Sequence, residues 1–436
     1  MSDPREVTLG VMGGGQLGRM FVHAAQQMGY FTAVLDPDAL SPAGRVSHHH
    51  IQTAYTDPAG LARLAGVSVA ITTEFENVPA QALEQLAATR PVAPSAQAVG
   101  IAQDRVREKA HFASCGVPVA PYAVIETAEQ LAQVVAESNA ARAAASVGAN
   151  ERSAGPPQAS AAPSGGSAAR AAASVGVSLF PGILKTARMG YDGKGQVRVN
   201  SPADLAAAWA DLKAASCVLE KMLPLQMECS VIVARGADGV CVNLPVQRNL
   251  HRDGILAVTE VFEGNMPQAQ AERAITAAKS IANDLQYVGV LCVEFFVLDP
   301  AQPAAQALGG LVVNEMAPRP HNSGHYSMDA CDVSQFDLQV RTLVGLPLVQ
   351  PRQHSPAIML NLLGDIWPQH GTNNASHKSA PNWAEVLALP GTHLHLYGKQ
   401  EAKKGRKMGH LNITAASIEQ VRATALQAAE IGRAHV

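Results

Sequence analysis

A multi-domain α/β fold is what this chain predicts, on three observations. Its 436 residues exceed what one core usually serves, and 47% apolar with 16% charged residues supply material for two or three. The first stretch reads strand, glycine turn, helix, strand. Farther on, apolar runs of strand length repeatedly end in charged or glycine-rich turns. A net charge of −3 excludes a sequence-wide basic field for nucleic acid or an anionic membrane. The N-terminus lacks a basic stretch leading into an apolar core, and no run of about 18 apolar residues occurs, so neither a signal peptide nor a membrane span is expected. Six cysteines without a Cys-x-x-Cys pair suit a reducing compartment, and the cytoplasm is the expected location.

Residues 7–12 form an apolar run, 13–15 are glycines, 16–28 carry helical spacing, and a second apolar run ends at Asp36. Gly13-x-Gly15-x-x-Gly18 with Asp36 fits the dinucleotide fingerprint and alone spells NAD. The narrower guarantee is that amides at a helix N-terminus hold a phosphate. Consecutive His48, His49 and His50 predict a loop or strand start, because neighbours on a strand face opposite ways and cannot share one metal. The predicted strand 67–73 ends in Glu74-Phe75-Glu76-Asn77, at the carboxyl edge where open α/β sheets bind ligands. Glu76 and Asn77 are expected to touch substrate; the plainer alternative has Glu74 and Glu76 as favourable charges starting a helix at 79–88. A helix over 99–115, with Asp104 and Arg105 early in it, leads into the next unit.

Residues 138–178 are almost wholly Ala, Ser, Gly, Pro and Arg, with the octapeptide at 141–148 repeated at 169–176. This composition buries too little apolar area to offset ordering entropy, so a disordered insertion is predicted. A predicted strand at 183–186 carries Lys185, and Gly190-Tyr191-Asp192-Gly193-Lys194-Gly195-Gln196 precedes another at 197–199. Such a hairpin tip suits folding over phosphates, although a plain hairpin turn would also explain Asp192-Gly193. Glu220-Lys221-Met222-Leu223 could present backbone groups to an adenine edge. Strands at 229–235 and 240–245 should pair, and 249–255 reads as a polar turn in which His251 lies between Arg248 and Arg252.

The densest chemistry follows the apolar strand that ends in Asn314-Glu315-Met316-Ala317-Pro318-Arg319-Pro320-His321-Asn322-Ser323-Gly324-His325. Upstream, Glu294 lies in the apolar strand 290–298, so a hairpin would bring Glu294 and Glu315 together. Two carboxylates sharing a site repel unless a cation lies between them. Mg²⁺ held by one or two carboxylates, with phosphates completing its shell, is the arrangement of nucleotide-dependent enzymes. The rival is a pair of solvated glutamates. Beyond Gly345, strands at 358–362 and 393–397 and the basic turn 399–407 predict a small β-rich domain.

Taken together, Lys185, the 190–196 loop, Glu220–Leu223, Asn249–Ile255 and Asn314–His325 resemble the ATP-grasp enzymes. Gly13-Gly14-Gly15-Gln16-Leu17-Gly18-Arg19-Met20, Phe75-Glu76-Asn77-Val78, His321–His325 and Gly405-Arg406-Lys407-Met408-Gly409-His410 are more specific. They resemble the N5-carboxyaminoimidazole ribonucleotide synthase family over nearly the whole chain. That resemblance implies a Rossmann-like N-terminal domain (1–103), a two-lobed ATP-grasp domain (104–348, containing the insertion) and a small β-rich C-terminal domain (349–436). It implies ATP and Mg²⁺, with bicarbonate and 5-aminoimidazole ribonucleotide as substrates, carboxyphosphate as intermediate, a homodimer, and a separate mutase receiving the product. In this family the first glycine loop would hold the ribonucleotide phosphate, and the NAD assignment falls.

The resemblance also distributes roles. Arg105, Lys185 and His251 would surround the triphosphate; Glu220, Lys221, Met222, Leu223 and Glu228 the adenosine. Gly190, Tyr191, Asp192, Gly193, Lys194, Gly195 and Gln196 would close over the phosphates, with Tyr191 and Lys194 nearest the chemistry. Glu294 and Glu315 would carry Mg²⁺, with Asn314 assisting. Arg319, His321, Asn322 and Lys407 would hold bicarbonate and carboxyphosphate. Gly15, Gln16, Leu17, Glu76, Asn77, Lys399 and Arg406 would hold the ribonucleotide. Three departures stand out: the insertion before Lys185, Lys194 in place of an expected arginine, and a tail at 430–436 that matches an in-frame adapter read-through and is expected to be non-native, with the true terminus missing. The alternatives are another ATP-grasp carboxylate-amine ligase, such as a formate-dependent glycinamide ribonucleotide formyltransferase, an NAD-dependent oxidoreductase, and a non-catalytic nucleotide-binding scaffold.

Overall fold

The computed structural model describes residues 7–150, 178–188, 190, 195–367, 381–432 and 434. The chain divides into two compact units. Unit 1 comprises Met1–Gln103, Leu225–Val297 and Asn314–Val436, and unit 2 comprises Asp104–Pro224 and Leu298–Val313.

Unit 1 begins with four parallel strands, β1 (Thr8–Met12), β2 (Phe31–Leu35), β3 (His49–Ile51) and β4 (Ala70–Thr73), in the order β3-β2-β1-β4. Strands covered on both faces must be apolar throughout, and nearly every residue of β1, β2 and β4 is buried. Because β2 and β4 flank β1 on opposite sides, the carboxyl end of β1 is a switch point that opens a crevice. Gly13 leaves β1 at φ +102°, a conformation that side chains other than glycine's rarely tolerate. The helix Gln16–Gln27 buries Leu17, Met20 and Phe21 with Phe336, Val340 and Leu343 of the helix Gln335–Val344. Each such side chain contributes about 1.5–3 kcal/mol by leaving water. That packing fixes the glycine loop against the segment that follows His321–His325.

Unit 2 holds an antiparallel sheet of β5 (Tyr122–Ile125), β6 (Gly182–Thr186), β7 (Gln196–Val199) and β8 (Cys217–Lys221), in the order β5-β8-β6-β7. Ile125, Leu184 and Leu219 pack with Val134, Leu205 and Ala208 from its helices. The β6–β7 hairpin closes with Thr186 N–H donating to Gly195 O at 2.8 Å. At its tip, Tyr191, Asp192, Gly193 and Lys194 lie outside the described residues.

The remaining strands form one sheet: β9 (Leu225–Arg235), β10 (Cys241–Asn243), β11 (Gln247–Arg252), β12 (Ile255–Val261), β13 (Gly289–Leu298), β14 (Leu311–Ala317), β15 (Ala357–Leu363), β16 (Thr392–Leu396) and β17 (Lys407–Thr414). Its order is β14-β13-β9-β11-β12-β15-β17-β16, with β10 paired to β9. The C-terminal strands therefore extend this sheet: β15 pairs with β12 at Val258↔Leu360 and with β17 at Met359↔Asn412.

Three local expectations are corrected. The helix expected over 99–115 is two helices, Ala96–Ala102 and Arg105–Ser114, because Asp104 turns out of the helix and its Oδ1 accepts from Val106 N–H and Arg107 N–H. The polar turn expected at 249–255 is mostly strand, since Asn249 and Leu250 pair with β12 and only Asp253 and Gly254, both at positive φ, make the turn. The segment expected to be disordered from 138 is helical at its start, because the helix Ala128–Asn150 runs into it. Alanine forms helix more readily than any other residue, even where little apolar area is buried. Residues 151–177 of that segment lie outside the described residues. The helix Ile418–Gly432 includes the first residues of the tail expected to be non-native, while 433, 435 and 436 lie outside the description.

Candidate active site

In unit 1 the glycine loop is occupied by the protein's own carboxylates. Gly14 N–H and Tyr55 O–H donate to Asp36 Oδ2 at 2.7 and 2.6 Å, and Glu74 takes Gly15 N–H on Oε1 at 2.9 Å and Gly18 N–H on Oε2 at 3.1 Å. A Cβ on Gly15 would lie 2.5 Å from Glu74 Oε1, so any larger residue there would have to displace the Glu74 carboxylate. The fingerprint thus has a local meaning: Asp36 ties the loop to β2 instead of awaiting a ribose, which corrects the NAD reading. Burial pushes Glu74 up despite two amide donors and the nearby Arg319 charge. Gln16 and Leu17 open the helix behind this carboxylate.

Glu76 is ion-paired with Arg319, its Oε2 accepting from Arg319 Nε. Burial alone would raise Glu76, but Arg319 outweighs it and holds the carboxyl low; Arg319 is raised in return, burial notwithstanding. Gln103 Nε2 donates to the carbonyls of Glu76 and Val78 at 2.6 and 2.7 Å, fixing the segment that carries Asn77.

Glu294 and Glu315 stand on adjacent strands, β13 and β14. Burial first, and the Glu315 charge second, push Glu294 up to about 7. His321 Nε2 lies 3.0 Å from Glu294 Oε1. Ser323 N–H approaches His321 Nδ1 at 3.3 Å, which makes Nδ1 the acceptor and leaves Nε2–H to donate to Glu294. Burial, then the Arg319 and Lys407 charges, hold His321 well below the usual imidazole range, so it is neutral. Its loop is pinned through Ser323 Oγ to Ser230 Oγ at 2.8 Å, Ser230 to Asn249 at 2.9 Å, and Asn249 to Thr259 at 3.0 Å. Gln335 adds a second clamp, accepting from His321 N–H at 2.9 Å and donating to His321 O at 2.8 Å.

The residues present fit a hard cation. Asn314 Oδ1 and both polar atoms of the Asn322 side chain are buried without a hydrogen-bond partner. Buried polar groups are normally paired, so these point to missing ligand atoms. Cys292, Glu294 and His321 bring ligand atoms within 4.8 Å of one another, but burial pushes the Cys292 thiol well up and keeps it protonated. The oxygen donors Glu294, Glu315 and Asn314 then favour Mg²⁺ over a soft metal. His251, on β11 rather than in a turn, has its Nδ1 2.8 Å from Glu228 Oε2. Burial lowers its pKa, but Glu228, Glu294 and Glu315 outweigh burial and raise it. On the basic turn, Lys399 Nζ donates to Lys407 O at 2.7 Å and Arg406 Nη1 to Glu401 O at 2.9 Å.

Sequence reasoning missed a stack of three imidazoles behind this site. His395 lies on His410 at 4.5 Å and 13°, and His410 on His325 at 4.5 Å and 26°. Tyr397 O–H meets His410 Nδ1 at 2.9 Å, and Asp329 Oδ2 meets His395 Nε2 at 2.7 Å. Burial holds His325 and His410 neutral, well below 6.5. In the unfolded chain both titrate near 6.5, so the unfolded state binds more protons and stability falls as pH drops below that value. His410→Gln is therefore expected to flatten the decline in urea-unfolding free energy between pH 6.5 and 5 by up to about 1.4 kcal/mol per pH unit. An unchanged slope would show that His410 is not buried in its neutral form.

In unit 2, Arg105 N–H donates to Ala187 O at 2.9 Å and Arg105 Nη2 to Gly190 O at 3.5 Å. Glu220, expected beside adenosine, lies buried between two ammonium groups: Lys109 Nζ is 3.2 Å from Oε1 and Lys185 Nζ 3.3 Å from Oε2. Burial would raise it, but Lys109, Lys185 and Arg105 hold it down at about 2. The N–H groups of Lys221 and Met222 donate to Pro121 O and Pro181 O, both at 2.9 Å, so those two amides are already satisfied. Lys109 was not anticipated; its one signal was its place a helical turn after Arg105.

Residues 7–103 match the ribonucleotide synthetase preATP-grasp domain, 158–336 the ATP-grasp domain, and 357–424 the phosphoribosylaminoimidazole carboxylase C-terminal domain. The N5-carboxyaminoimidazole ribonucleotide synthase of Brucella melitensis is 39% identical over 93% of this chain and 95% of its own length. An ADP complex of an N5-carboxyaminoimidazole ribonucleotide synthetase superposes with a TM-score of 0.79 at 35% identity, covering 98% of each chain. The Aspergillus clavatus synthase, solved with ADP and 5-aminoimidazole ribonucleotide, gives 0.77 at 27% identity, covering 99% of this chain and all of that one.

Proposed function

The chain belongs to the N5-carboxyaminoimidazole ribonucleotide synthase family, and from that membership we propose how its residues divide the work. It is an ATP-dependent ligase that converts 5-aminoimidazole ribonucleotide to its N5-carboxy derivative in purine biosynthesis. The formate-dependent alternative is not favoured by the relatives found.

The finer reading begins with bicarbonate. Its oxygen attacks the γ-phosphorus of ATP, the bond to ADP breaks, and carboxyphosphate forms. The exocyclic amine of the ribonucleotide then takes up the carboxyl carbon, directly or as released CO₂; phosphate leaves and the amine gives up a proton. Phosphoryl transfer of this kind needs alignment and charge neutralisation more than covalent help. Mg²⁺ held by Glu294 and Glu315, with Asn314 beside them, would neutralise phosphate oxygens. Arg319 supplies a fixed guanidinium and His321 a neutral imidazole of defined tautomer. Asn322 has two unpaired buried polar atoms suited to a small oxyanion. Lys407 lends charge from β17. In unit 2, Lys185 and Arg105 meet phosphate oxygens and the 220–223 segment lies along adenosine.

Glu76, Asn77, Lys399 and Arg406 are assigned to the ribonucleotide. Because Glu74 already takes the Gly15 and Gly18 amides, the loop's role with Gln16 and Leu17 is to present that carboxylate as much as to bind phosphate. A homodimer, a cytoplasmic setting and delivery to a separate mutase complete the proposal. No described helix is long and apolar enough to cross a membrane.

The observation that carries this reading is Glu294, pushed to about 7 beside Glu315, with orphaned Asn314 and Asn322 atoms around it. ADP release from Mg-ATP and bicarbonate should rise strongly on adding 5-aminoimidazole ribonucleotide and not on adding formate with glycinamide ribonucleotide. The reverse preference would reassign the acceptor.

A further inference from the structure

In unit 2, Lys109, Lys185 and Arg105 all act on the buried Glu220, and Lys109 also feels Glu108. Lys109 is fully buried on the helix Arg105–Ser114, with its Nζ over the Tyr122 ring at 5.6 Å. An isolated ammonium is expensive to bury, and an apolar side chain of similar length would fill the same space at less penalty. Its geometry shows what the charge does. Glu220 divides its oxygens, giving Oε1 to Lys109 at 3.2 Å and Oε2 to Lys185 at 3.3 Å.

We infer that Lys109 is a positioning residue for nucleotide binding, holding one oxygen of Glu220 so that Lys185 is steadied by the other without being neutralised by both. Without Lys109, the Glu220 carboxylate is free to turn wholly onto Lys185. The ammonium would then be drawn into a close two-oxygen pair and withdrawn from an incoming polyphosphate. The effect belongs to ATP binding, because it changes the charge Lys185 offers before any bond is made. The inference rests on the reading that Lys185 meets ATP phosphates.

The test is steady-state kinetics on the full chain, varying ATP at saturating bicarbonate and 5-aminoimidazole ribonucleotide, for wild type, Lys109→Met, Glu220→Gln, Lys109→Met/Glu220→Gln and Lys185→Met. Lys109→Met should raise the KM for ATP about tenfold with kcat within about threefold. The same substitution made in the Glu220→Gln background should change KM by less than about threefold, because the neutral amide does not capture Lys185 whether or not Lys109 is present; this is the coupling a double-mutant cycle isolates. A merely structural Lys109 would raise KM equally in both backgrounds. Should Lys109→Met fail to fold, Lys109→Gln with and without Glu220→Gln gives the same comparison. If Lys185→Met raises KM while Lys109→Met and Lys109→Gln do not, or if the Lys109 substitution raises KM as much in the Glu220→Gln background as in wild type, the inference is overturned and the reading of Lys185 stands. If Lys185→Met leaves KM unchanged, that reading falls and the inference with it.

Discussion

Glu315→Gln is expected to lower ribonucleotide-stimulated ADP release by roughly 10²–10³, the range found when one preorganised stabiliser of developing charge is removed. The same substitution should leave the metal-free protein at least as stable as wild type. The two results belong together. Burial and the Glu315 charge push Glu294 to about 7, so in the absence of a cation the pair carries a repulsion that an amide would relieve. The gain is of order 1 kcal/mol at neutral pH, given that one pKa unit is about 1.4 kcal/mol. A scaffold carboxylate behaves oppositely, since its removal lowers stability and spares activity. Thermal unfolding without Mg²⁺, alongside the ADP assay, separates the cases: a Glu315→Gln protein that is less stable yet active would remove both glutamates from the metal site.

Arg319→Ala should be the second large effect, because this guanidinium joins two tasks. Glu76 loses its partner, and the side chain expected to hold carboxyphosphate disappears. Glu76 keeps 27% of its side-chain surface in solvent, so the stability loss is limited to about 1–2 kcal/mol. The loss in kcat/KM should be far larger, roughly 10²-fold or more. Arg319→Lys should recover most of the stability and little of the activity, because a lysine cannot reproduce the planar fork. Equal recovery of both would mean that Arg319 serves only to hold Glu76.

Much of the site was legible as local sequence. Apolar runs ending in Gly13–Gly15, Glu74–Asn77 and Asn314–His325 mark strand ends, and strand ends are where an α/β sheet presents ligands. Glu294 and Glu315 could be paired because a hairpin joins neighbouring strands with few alternatives. What escaped notice were partners brought together by the fold from distant segments. Nothing in the fingerprint says that Glu74 will take the Gly15 and Gly18 amides, since a loop built for an anion accepts the protein's own carboxylate as readily. Nothing in the sequence around His251 says that its Nδ1 will lie 2.8 Å from Glu228 Oε2. The stack of His325, His410 and His395 draws on three separate segments and has no local signature. The helix that enters the segment expected to be disordered follows from alanine's backbone preference, which apolar area alone does not register.

The most direct test of the central claim is the fate of a bicarbonate oxygen. With ¹⁸O-labelled bicarbonate, ATP and 5-aminoimidazole ribonucleotide, attack on the γ-phosphorus leaves one bicarbonate oxygen on phosphorus when carboxyphosphate breaks down. The account predicts inorganic phosphate carrying a single ¹⁸O, in amounts matching the ADP formed. Unlabelled phosphate, with ADP still released, would mean that water attacks ATP and that this chain does not make carboxyphosphate.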